Sequence, residues 1–373
     1  MQLLRSNCET IQKPVKIVSG IVERNSTVPI VNNIMIDVKG TNAVFTTTDL
    51  DTQVVTSAPV GFSDESEGCF TVSAQKLGDI LSTIKGSAPV ELSVEDGVAM
   101  LATTNGQFQL QTLPADDFPS FDAVDWTREI KISAKKLRRV LALTSFAMAN
   151  KDIRYFLNGV LMVTSGSTVR CVATDTHRLS FCECELEEGQ FFEEPHDAII
   201  PRKTVRELLR ILPEDDSEVQ IRFGDMQVEF SFTDVTYRSK LVDGKFPDYE
   251  RVMPTFESNP CVIRINREEL ISALRRAQIM TNEKFNGVRW LLSRGNLQIQ
   301  GTNNEQEEAT QDIAVDWTWD DLDMGFNVLY LIDALSNLKN NEVSFHFAQT
   351  PRSVLLTMPE TTDFRYVVMP MRI

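Results

Sequence analysis

The segment FLNGVLMVTSGSTVRCVATDTHRLSFCECEL, residues 156–186, decides the fold because two more segments of the chain share its layout. Residues 31–60 read VNNIMIDVKGTNAVFTTTDLDTQVVTSAPV, and residues 285–315 read FNGVRWLLSRGNLQIQGTNNEQEEATQDIAV. In each, a strand-like run follows an asparagine, a turn containing glycine comes next, and a second run ends at Thr-Asp or Thr-Asn. These dipeptides recur at intervals of 126 (174 − 48) and 128 (302 − 174) residues, beginning at Thr48, Thr174 and Thr302. The chain is therefore predicted to contain three copies of one unit.

Each copy is followed and preceded by a candidate helix. The segments that follow repeat leucine and isoleucine at i, i+3, i+4 and i+7, which predicts amphipathic helices within 72–86, 200–216 and 326–342. Three more candidate helices lie around 9–22, 133–148 and 266–280. Alternating strands follow the later helix of each copy. This order predicts an α+β protein of three similar domains, spanning 1–125, 126–256 and 257–373.

Length and composition are those of an ordered globular protein. The 373 residues suggest two or three domains, and the sequence is 42% hydrophobic and 24% charged. The opening MQLLRSNCET lacks the basic-then-apolar layout of a signal peptide, and no stretch approaches the ~18 apolar residues of a membrane span. We therefore expect a cytoplasmic protein with no membrane partner.

The cysteines and histidines do not predict a metal site. There is no CxxC motif, and the histidines lie far apart with no cysteine at ligand spacing. We interpret the cysteines as buried thiols, and we expect neither a metal nor a cofactor. The residues concerned are Cys8, Cys69, Cys171, Cys182, Cys184, Cys261, His177, His196 and His346.

Charge is segregated along the chain. The net charge of −16 would ordinarily argue against nucleic acid, because phosphate binding requires clustered lysine and arginine. However, the acidic runs fall in predicted loops, at 62–68, 183–197, 213–218, 303–308 and 316–323. The predicted helices are basic instead, so the distribution of charge along the chain is more informative than the net charge.

The basic residues occupy the faces of the helices opposite their apolar stripes. Lys135, Arg138 and Arg139 stand at i, i+3 and i+4, whereas Leu137, Val140 and Leu141 belong to the predicted core face. For one helix this is usually a solvated surface, but five of the six helices agree. Such a surface could follow a phosphate backbone without reading bases. The remaining basic residues on or next to these helices are Lys13, Lys16, Arg24, Lys76, Lys85, Lys203, Arg206, Arg210, Arg267, Arg275 and Arg276.

Two aspartate-rich turns could be mistaken for an active site. Asp49, Asp51 and Asp175, with His177, could hold a divalent metal or act as acid and base. The repeat argues against this, because Asp49 and Asp175 are equivalent positions in different copies. A Thr-Asp pair after a strand is more simply a turn whose carboxylate accepts backbone N–H bonds. Since no nucleotide-binding or nucleophile motif accompanies it, we expect no catalytic residue and no enzyme.

Two alternatives remain open from the residues alone. The basic helices could bind an acidic protein, which would make the chain a non-catalytic scaffold that does not enclose DNA. Less favoured is a metal-dependent nuclease that uses Asp49, Asp51 or Asp175.

The chain closely resembles the bacterial DNA sliding clamp family, the beta subunit of DNA polymerase III. The motifs that carry the resemblance span all three predicted domains in order. They are LPADDFPSF (113–121), IRYFLNGV (153–160), ATDTHRL (173–179), GKFPDYERVMP (244–254), TNEKFNGVR (281–289), NNEQEEA (303–309) and the closing YVVMPMR.

The resemblance implies a DNA clamp fold, in which each domain packs two helices on antiparallel sheets. Two chains would close head to tail as a homodimer ring of six similar domains, with pseudo-six-fold symmetry and with duplex DNA in the hole. The function implied is processivity in DNA replication, since the ring would slide on DNA without reading its sequence and tether the replicative polymerase. Further partners implied are the clamp loader and other replication and repair proteins that carry short hydrophobic clamp-binding peptides.

The family's partner peptides insert into a groove between the second and third domains. Methionine suits a groove with many ligands, because it is unbranched and polarizable, and a proline withholds a backbone donor. This would explain the run YVVMPMRI, although a terminal strand that closes the last core explains its first residues equally well. The matching positions are Leu157, Thr174, His177, Arg178, Leu179, Pro247, Arg251, Val252, Tyr330, Ser353, Val354, Val367, Val368, Met369, Pro370, Met371 and Arg372.

The resemblance also implies sites for DNA and for the second chain. For DNA it points to Arg24 and to the loop residues Lys151, Arg154, Tyr155 and Phe156, beside Lys13, Lys76, Lys135, Arg139, Lys203, Arg206, Arg210, Arg275 and Arg276 on the helices. For the dimer contact it points to Lys76, Phe108, Ile279, Met280, Glu305 and Glu308.

Two departures from the family pattern affect these expectations. Thr176 stands where the family usually has glycine, so a positive φ there would be strained. The neighbours of Phe108 are uncharged, namely Asn105, Gly106, Gln107 and Gln109. With fewer ion pairs across the interface, the ring is expected to dissociate more readily or to depend more on apolar contacts.

Overall fold

The computed structural model describes residues 2–23, 26–350 and 352–373. Helices and antiparallel sheets are both present, as the predicted α+β class requires. The helices are α1 (Cys8–Val18), α2 (Ala74–Thr83), α3 (Ala134–Ser145), α4 (Arg202–Ile211), α5 (Arg267–Ile279) and α6 (Val328–Asn337). The strands are β1 (Gln2–Asn7), β2 (Asn33–Lys39), β3 (Asn42–Thr48), β4 (Thr52–Ala58), β5 (Glu67–Ser73), β6 (Pro89–Glu95), β7 (Val98–Thr103), β8 (Gly106–Leu113), β9 (Arg128–Ser133), β10 (Gly159–Gly166), β11 (Thr168–Thr174), β12 (Arg178–Glu185), β13 (Phe192–Pro201), β14 (Glu218–Phe223), β15 (Gln227–Phe232), β16 (Val235–Lys240), β17 (Cys261–Asn266), β18 (Gly287–Ser293), β19 (Asn296–Thr302), β20 (Glu308–Ala314), β21 (Leu322–Asn327), β22 (Glu342–Phe347), β23 (Val354–Thr357) and β24 (Phe364–Val368).

The six predicted helices all form, and their ends follow local chemistry. Asparagine or serine side chains accept a backbone N–H bond at the first turns of α1, α2, α5 and α6. In α3 the residues predicted for the core, Leu137, Val140 and Leu141, are buried. In α3 the apolar spacing in the sequence therefore identified both the helix and its buried face.

The three copies fold as three-stranded antiparallel ribbons: β2–β4, β10–β12 and β18–β20. The middle strand of each ends at Thr48, Thr174 or Thr302, as the repeat predicts. Equivalent sequence positions thus reach equivalent places in the ribbons.

The chain forms two compact units. The first consists of Met1–Lys135 and Arg206–Leu241, and it contains one 12-stranded sheet in the order β1-β6-β7-β8-β5-β2-β3-β4-β16-β15-β14-β9. Helix α1 packs against α2 and against β3 and β4 in this unit. The predicted domain boundaries near residues 125 and 256 stay a prediction.

The second unit consists of Lys136–Val205 and Val242–Ile373. It contains an eight-stranded sheet, β13-β10-β11-β12-β24-β23-β22-β17, and a four-stranded sheet, β20-β19-β18-β21. Helix α5 packs against α6 and against β19 and β20. The pairing of β12 with β24 brings the second copy beside the last strand, which sets up the site described below.

The interpretation of all six cysteines as buried thiols is wrong for Cys69. Cys8, Cys171, Cys182 and Cys261 are buried and Cys184 is partly buried, but Cys69 is exposed. The reason is strand alternation, because Cys69 in β5 points opposite to the buried Phe70. A separate finding is that no helix in the described ranges is long and apolar enough to cross a membrane.

Candidate functional site

The site begins at the turn between β11 and β12, where the second copy places its Thr-Asp dipeptide. The carboxylate of Asp175 accepts bonds from the backbone N–H groups of His177 and Arg178, both at 3.0 Å. The hydroxyl of Thr174 donates to the carbonyl of Arg178 at 2.6 Å. Thr176 has a φ of 76°, the left-handed conformation that was expected to strain a threonine. The turn fixes the direction in which Arg178 leaves β12.

The same turn chemistry recurs in the other copies. The carboxylate of Asp49 accepts from the backbone N–H groups of Asp51 and Thr52, at 3.0 and 2.6 Å. The side-chain oxygen of Asn303 accepts from Glu305 and Glu307, both at 3.0 Å. The aspartates therefore hold turns, as the repeat indicated. Within the described ranges, no three His, Cys, Asp or Glu side chains come together as a possible metal site.

Arg178 is the centre of the site, and each nitrogen of its guanidinium donates a bond. Its side chain is only 9% exposed and donates to Asp175 at 3.0 Å, to Asp333 in α6 at 2.8 Å and to the carbonyl of Phe146 at 2.8 Å. The guanidinium carbon lies 4.4 Å from the ring centroid of Tyr330. Arg178 thus ties β12 to α6 and to the chain after α3.

Tyr330 completes one wall of the site. Its ring stacks near the exposed ring of His177, with centroids 6.3 Å apart. Its carbonyl accepts a bond from the hydroxyl of Tyr366 at 2.9 Å. Burial raises the pKa of Tyr366, so this hydroxyl keeps its proton and acts as a donor. Helix α6 is therefore held against β24 at the level of the turn.

The closing residues of the chain lie along this site rather than fraying. Leu179 pairs with Val367, and the N–H of Met369 donates to the carbonyl of His177 at 2.9 Å. The N–H of Met371 then donates to the carbonyl of Gly325 at 2.8 Å. A Cβ at Gly325 would lie 2.5 Å from the oxygen of Met371, so only glycine allows the backbone to pass this closely.

The groove positions differ in accessibility. Leu157, Leu179, Val354, Val367 and Val368 are buried. Strand pairing puts Leu179 and Val367 on one face of the sheet and Val354 and Val368 on the other. Val252 and Met369 are 47% and 40% exposed. Arg251 is paired with Asp248 at 2.7 Å, and the carbonyl of Ser353 accepts a bond from Asn259. Thr174 and Tyr330 lie in the turn and wall described above, while Pro247, Pro370, Met371 and Arg372 are partly or fully exposed.

Sequence reasoning missed Asp333, Phe146 and Tyr366 in this site. For Asp333 a signal was available, because it is the one acidic residue in α6 and lies three positions after Tyr330, on the same helix face. Nothing local marks Phe146, since it contributes a backbone carbonyl.

Most basic residues proposed for DNA are exposed at the surface of their own unit. Lys13, Lys76, Lys135 and Arg206 are exposed in the first unit, and Lys151, Arg275 and Arg276 in the second, where Lys203 is partly exposed. Lys135 lies 3.8 Å from Asp216, and Arg276 bonds the side chain of Gln311. Arg24 lies outside the described residues.

The loop after α3 carries further candidates. Arg154 donates to both carboxylate oxygens of Asp152, at 3.0 and 2.9 Å, and these bonds lower the pKa of Asp152 to about 2. Tyr155 is 57% exposed, whereas Phe156 packs on a buried cluster that includes Leu179 and Val367. Of these two rings, the tyrosine offers the larger free surface to a ligand.

Two basic residues proposed for DNA have other partners. Arg139 pairs with Asp363 at 2.9 Å. Arg210 donates to the carbonyls of Lys16 and Ile17, at 3.1 and 2.7 Å, and so caps the end of α1. Helix periodicity placed both side chains on the polar face, but their partners lie far away in sequence.

The residues proposed for the dimer contact lie at the surface of their units. Phe108 is 37% exposed and Ile279 is 75% exposed. Lys76, Glu305 and Glu308 are exposed, and Met280 is partly buried.

Three family models match successive parts of the chain. They describe the N-terminal, central and C-terminal domains of the DNA polymerase III beta subunit and match residues 4–122, 131–248 and 250–372. Among curated proteins, the chain is 39% identical over 366 residues to the beta sliding clamp of Pseudomonas aeruginosa, covering 98% of each chain. It is 36% identical over 368 residues to that of Escherichia coli, again with 98% of each covered.

Solved structures agree with the sequence matches. The crystal structure of a sliding clamp from Pseudomonas aeruginosa bound to griselimycin covers 100% of both chains, with 38% identity and a TM-score of 0.94. The beta clamp of Caulobacter crescentus gives 29% identity and a TM-score of 0.91 over 100% of both chains. These matches do not support the scaffold or nuclease alternatives. The chain belongs to the DNA polymerase III beta subunit family, the beta sliding clamps.

Proposed function

We propose that this protein is a DNA sliding clamp that tethers the replicative polymerase to its template. The observation that carries the proposal is the match to all three beta-subunit domains in order, with 98% of the chain covered by curated clamps. Two chains would close head to tail around duplex DNA. The ring would work in the cytoplasm, loaded by a clamp loader, and would serve other replication and repair proteins in turn.

The chemistry required is electrostatic and mechanical. Exposed lysines and arginines on the helices can contact phosphates, and such contacts exchange readily because they read no bases. A ring holds DNA by enclosure, so each contact can remain weak enough for sliding. The excess acid on the rest of the surface would repel DNA from the wrong face. No bond is made or broken, so the protein needs no catalytic residue.

The site around Arg178 would bind the hydrophobic peptides of partner proteins. Its proposed floor is the apolar cluster that contains Leu179, Leu355 and Val367, and Met369 and Val252 are exposed. Because the floor is buried, a peptide side chain reaches it only when a rim side chain moves. An unbranched methionine can do this at little cost, which suits a groove that accepts several peptides.

Topological enclosure can be tested on a nicked circular plasmid. The protein is loaded with a clamp loader and ATP, the complex is isolated by gel filtration in high salt, and the DNA is then cut once. We expect the protein to stay on the circle and to leave only after the cut, because a ring slides off a free end. A mock cut with inactivated nuclease is the control.

Two results would contradict the proposal. Retention on linear DNA would mean ordinary adhesion, and the absence of any salt-resistant complex with an active loader would mean another partner. Adhesion would also show the steep salt dependence of phosphate contacts, which enclosure does not.

A further inference from the structure

A second recess lies in the second unit, on the open face of β17, β22, β23 and β24. Its volume is about 590 Å³, within the range of ligand pockets. An adjoining recess of about 470 Å³ shares Phe256 and Arg365 with it. None of the residues that line either one belongs to the groove, DNA or dimer sets named above. The larger one, which we call the Trp319 recess, is lined by Phe256, Arg264, Trp319, His346, Thr357 and Arg365, among others.

The walls of the Trp319 recess expose two large aromatic side chains. Phe256 is 51% exposed, and its ring lies edge-on to the buried His346, with centroids 5.1 Å apart. His346 is fixed in turn by a bond of 2.9 Å between its Nε2 and the hydroxyl of Thr357. Trp319 is 38% exposed and packs on the buried Trp317 at 5.2 Å. Aromatic side chains held this firmly are typical anchors of protein–protein contacts.

Two arginines in the Trp319 recess have no acidic partner. Among the described residues, no carboxylate lies within 4.0 Å of Arg264 or Arg365. The guanidinium of Arg365 donates to the sulfur of Met253 at 3.5 Å and lies 5.8 Å from the ring centroid of Phe181. Both arginines line the same recess, so two positive charges without a carboxylate partner lie there.

Strand register places the two arginines on one row. Arg264 pairs with Ser344, Ser344 with Thr357, and Thr357 with Arg365, so the four side chains share a face across four neighbouring strands. Three strand spacings separate the outer two, which is roughly 14 Å. An extended peptide spans this distance in about four residues. Residues i, i+2 and i+4 of such a peptide point to the same side.

We propose that the Trp319 recess binds an acidic, extended segment of a partner protein. Carboxylates at positions i and i+4 would pair with Arg264 and Arg365, and an aromatic side chain at i+2 would pack against Phe256 and Trp319. Nucleic acid fits less well, because two guanidiniums are few for a phosphate backbone but match two carboxylates. The carboxylate of Asp316 also lines the recess and would repel either ligand. The site goes beyond the peptide groove and does not depend on it.

The test uses a fluorescein-labelled peptide with the core Glu-Ser-Phe-Ser-Glu, flanked by glycine and serine. We expect saturable binding to the full-length protein by fluorescence polarisation. Replacing both glutamates with glutamine, or the phenylalanine with alanine, should weaken binding at least tenfold. The double variant R264Q/R365Q should do the same, and each single variant should have a smaller effect. R294Q, at an exposed arginine in the turn between β18 and β19, is the matched control and should bind as the unsubstituted protein does.

Three outcomes would overturn the proposal. These are no binding to the unsubstituted protein, equal binding of all three peptides, or full binding by R264Q/R365Q. If a 20-base-pair duplex displaces the peptide and R264Q/R365Q no longer binds that duplex, the recess is a nucleic-acid site instead. A hydrophobic pentapeptide directed to the Arg178 groove should bind R264Q/R365Q normally, which shows that the variant is folded.

Discussion

At the scale of single residues, the groove depends on one guanidinium that joins three segments of the chain. Arg178 bonds its own turn through Asp175, α6 through Asp333, and the chain after α3 through the carbonyl of Phe146. A buried arginine whose three nitrogens each donate a bond within the fold is chiefly a positioning group. It holds Tyr330 in place beside the proposed peptide groove.

The first prediction is that Asp333→Asn weakens peptide binding without unfolding the protein. Arg178 would lose the charge on one of its two carboxylate partners, so α6 and Tyr330 would be held less firmly. Asp333 is 46% exposed, so we expect a loss of only about 1 kcal/mol, roughly fivefold in Kd. Fluorescence polarisation with a hydrophobic pentapeptide measures it. Asp323→Asn, which removes an exposed partner of Arg289, is the control, and equal affinities in both variants would refute the role of Asp333.

The second prediction concerns the strained turn residue. Thr176 has a φ of 76° and an exposed side chain, so Thr176→Gly removes strain and loses little buried surface. Relief of about 1 kcal/mol is partly offset by the greater freedom of glycine in the unfolded chain, which leaves ~0.5 kcal/mol of stabilisation. Urea unfolding should show a higher midpoint. Thr168→Gly, at the start of β11, should lower it, and a lower midpoint for both variants would contradict the strain.

At the scale of elements, one helix carries both an arginine that stabilises the fold and an arginine that is proposed to contact DNA. Arg206 and Arg210 lie in the same helix, α4, and both are exposed. Only Arg210 reaches the last turn of α1, where it bonds two carbonyls that the helix leaves unpaired.

The third prediction compares these two arginines. Arg210→Ala should destabilise the first unit by about 1 kcal/mol, because it removes a helix cap that is partly open to solvent. Arg206→Ala should leave stability unchanged within ~0.5 kcal/mol and weaken the salt-sensitive binding of duplex DNA that is measured without a clamp loader. Thermal unfolding and a DNA-binding titration at low salt measure the two effects. The assignment fails if Arg206→Ala is the more destabilising change.

A buried carboxylate ties three neighbouring strands in the first unit. Glu229 in β15 accepts bonds from Arg222 in β14 and Arg238 in β16, and both guanidiniums lie near the ring of Trp126. Burial alone would raise the pKa of Glu229, but the bonds from the two arginines outweigh it and lower the pKa below the usual 4.5. The charged form is therefore the one that stabilises the fold.

The fourth prediction follows from the sign of that shift. Because the folded pKa lies below the unfolded one, Glu229 contributes stability above pH 4.5 and loses it as the pH falls through the folded value. Glu229→Gln should lower the free energy of unfolding by about 2 kcal/mol at pH 7. This is less than the loss of a fully buried pair would cost, because the two arginines reach solvent. Below pH 4.5 the difference in unfolding free energy between the variant and the unsubstituted protein should shrink. Urea unfolding at several pH values tests this, with the exposed Glu218→Gln as control, and a gap independent of pH would contradict it.

At the scale of the whole molecule, the proposed ring requires a second copy of the chain. Phe108 and Ile279 each expose apolar surface, and the residues next to Phe108 carry no charge. An interface built around them would depend more on apolar burial than on ion pairs.

The fifth prediction is that the dimer persists in high salt but is disrupted by Ile279→Asp. Burying an unpaired carboxylate at an apolar contact costs several kcal/mol, so the variant should be monomeric by light scattering at concentrations where the unsubstituted protein is dimeric. Ile153→Asp is the control, since Ile153 is 95% exposed and lies outside the proposed contact. A dimer that falls apart in high salt, or one that persists at subnanomolar concentration, would contradict an interface weak in ion pairs.

The sequence alone determined the features that depend on local chemistry. Apolar spacing predicted helices that form, and in α3 it also predicted the buried face. The repeated Thr-Asp or Thr-Asn predicted the strand ends and turns, because both signals act over a few residues. The motifs that carry the resemblance identified the family. The sequence did not determine whether Cys69 is exposed, because that depends on which face of β5 the fold buries.

Only the tertiary structure decided which side chains are partners. Asp333 lies 155 residues from Arg178, and Lys16 lies 194 residues from Arg210. The row from Arg264 to Arg365 exists only because four strands align in one register. A helix or strand pattern places a side chain on a face, but it says nothing about the element that packs there. The pairings of Arg178 and Arg210 leave few buried charges without a partner across the whole fold. A short stretch of sequence does not contain that information.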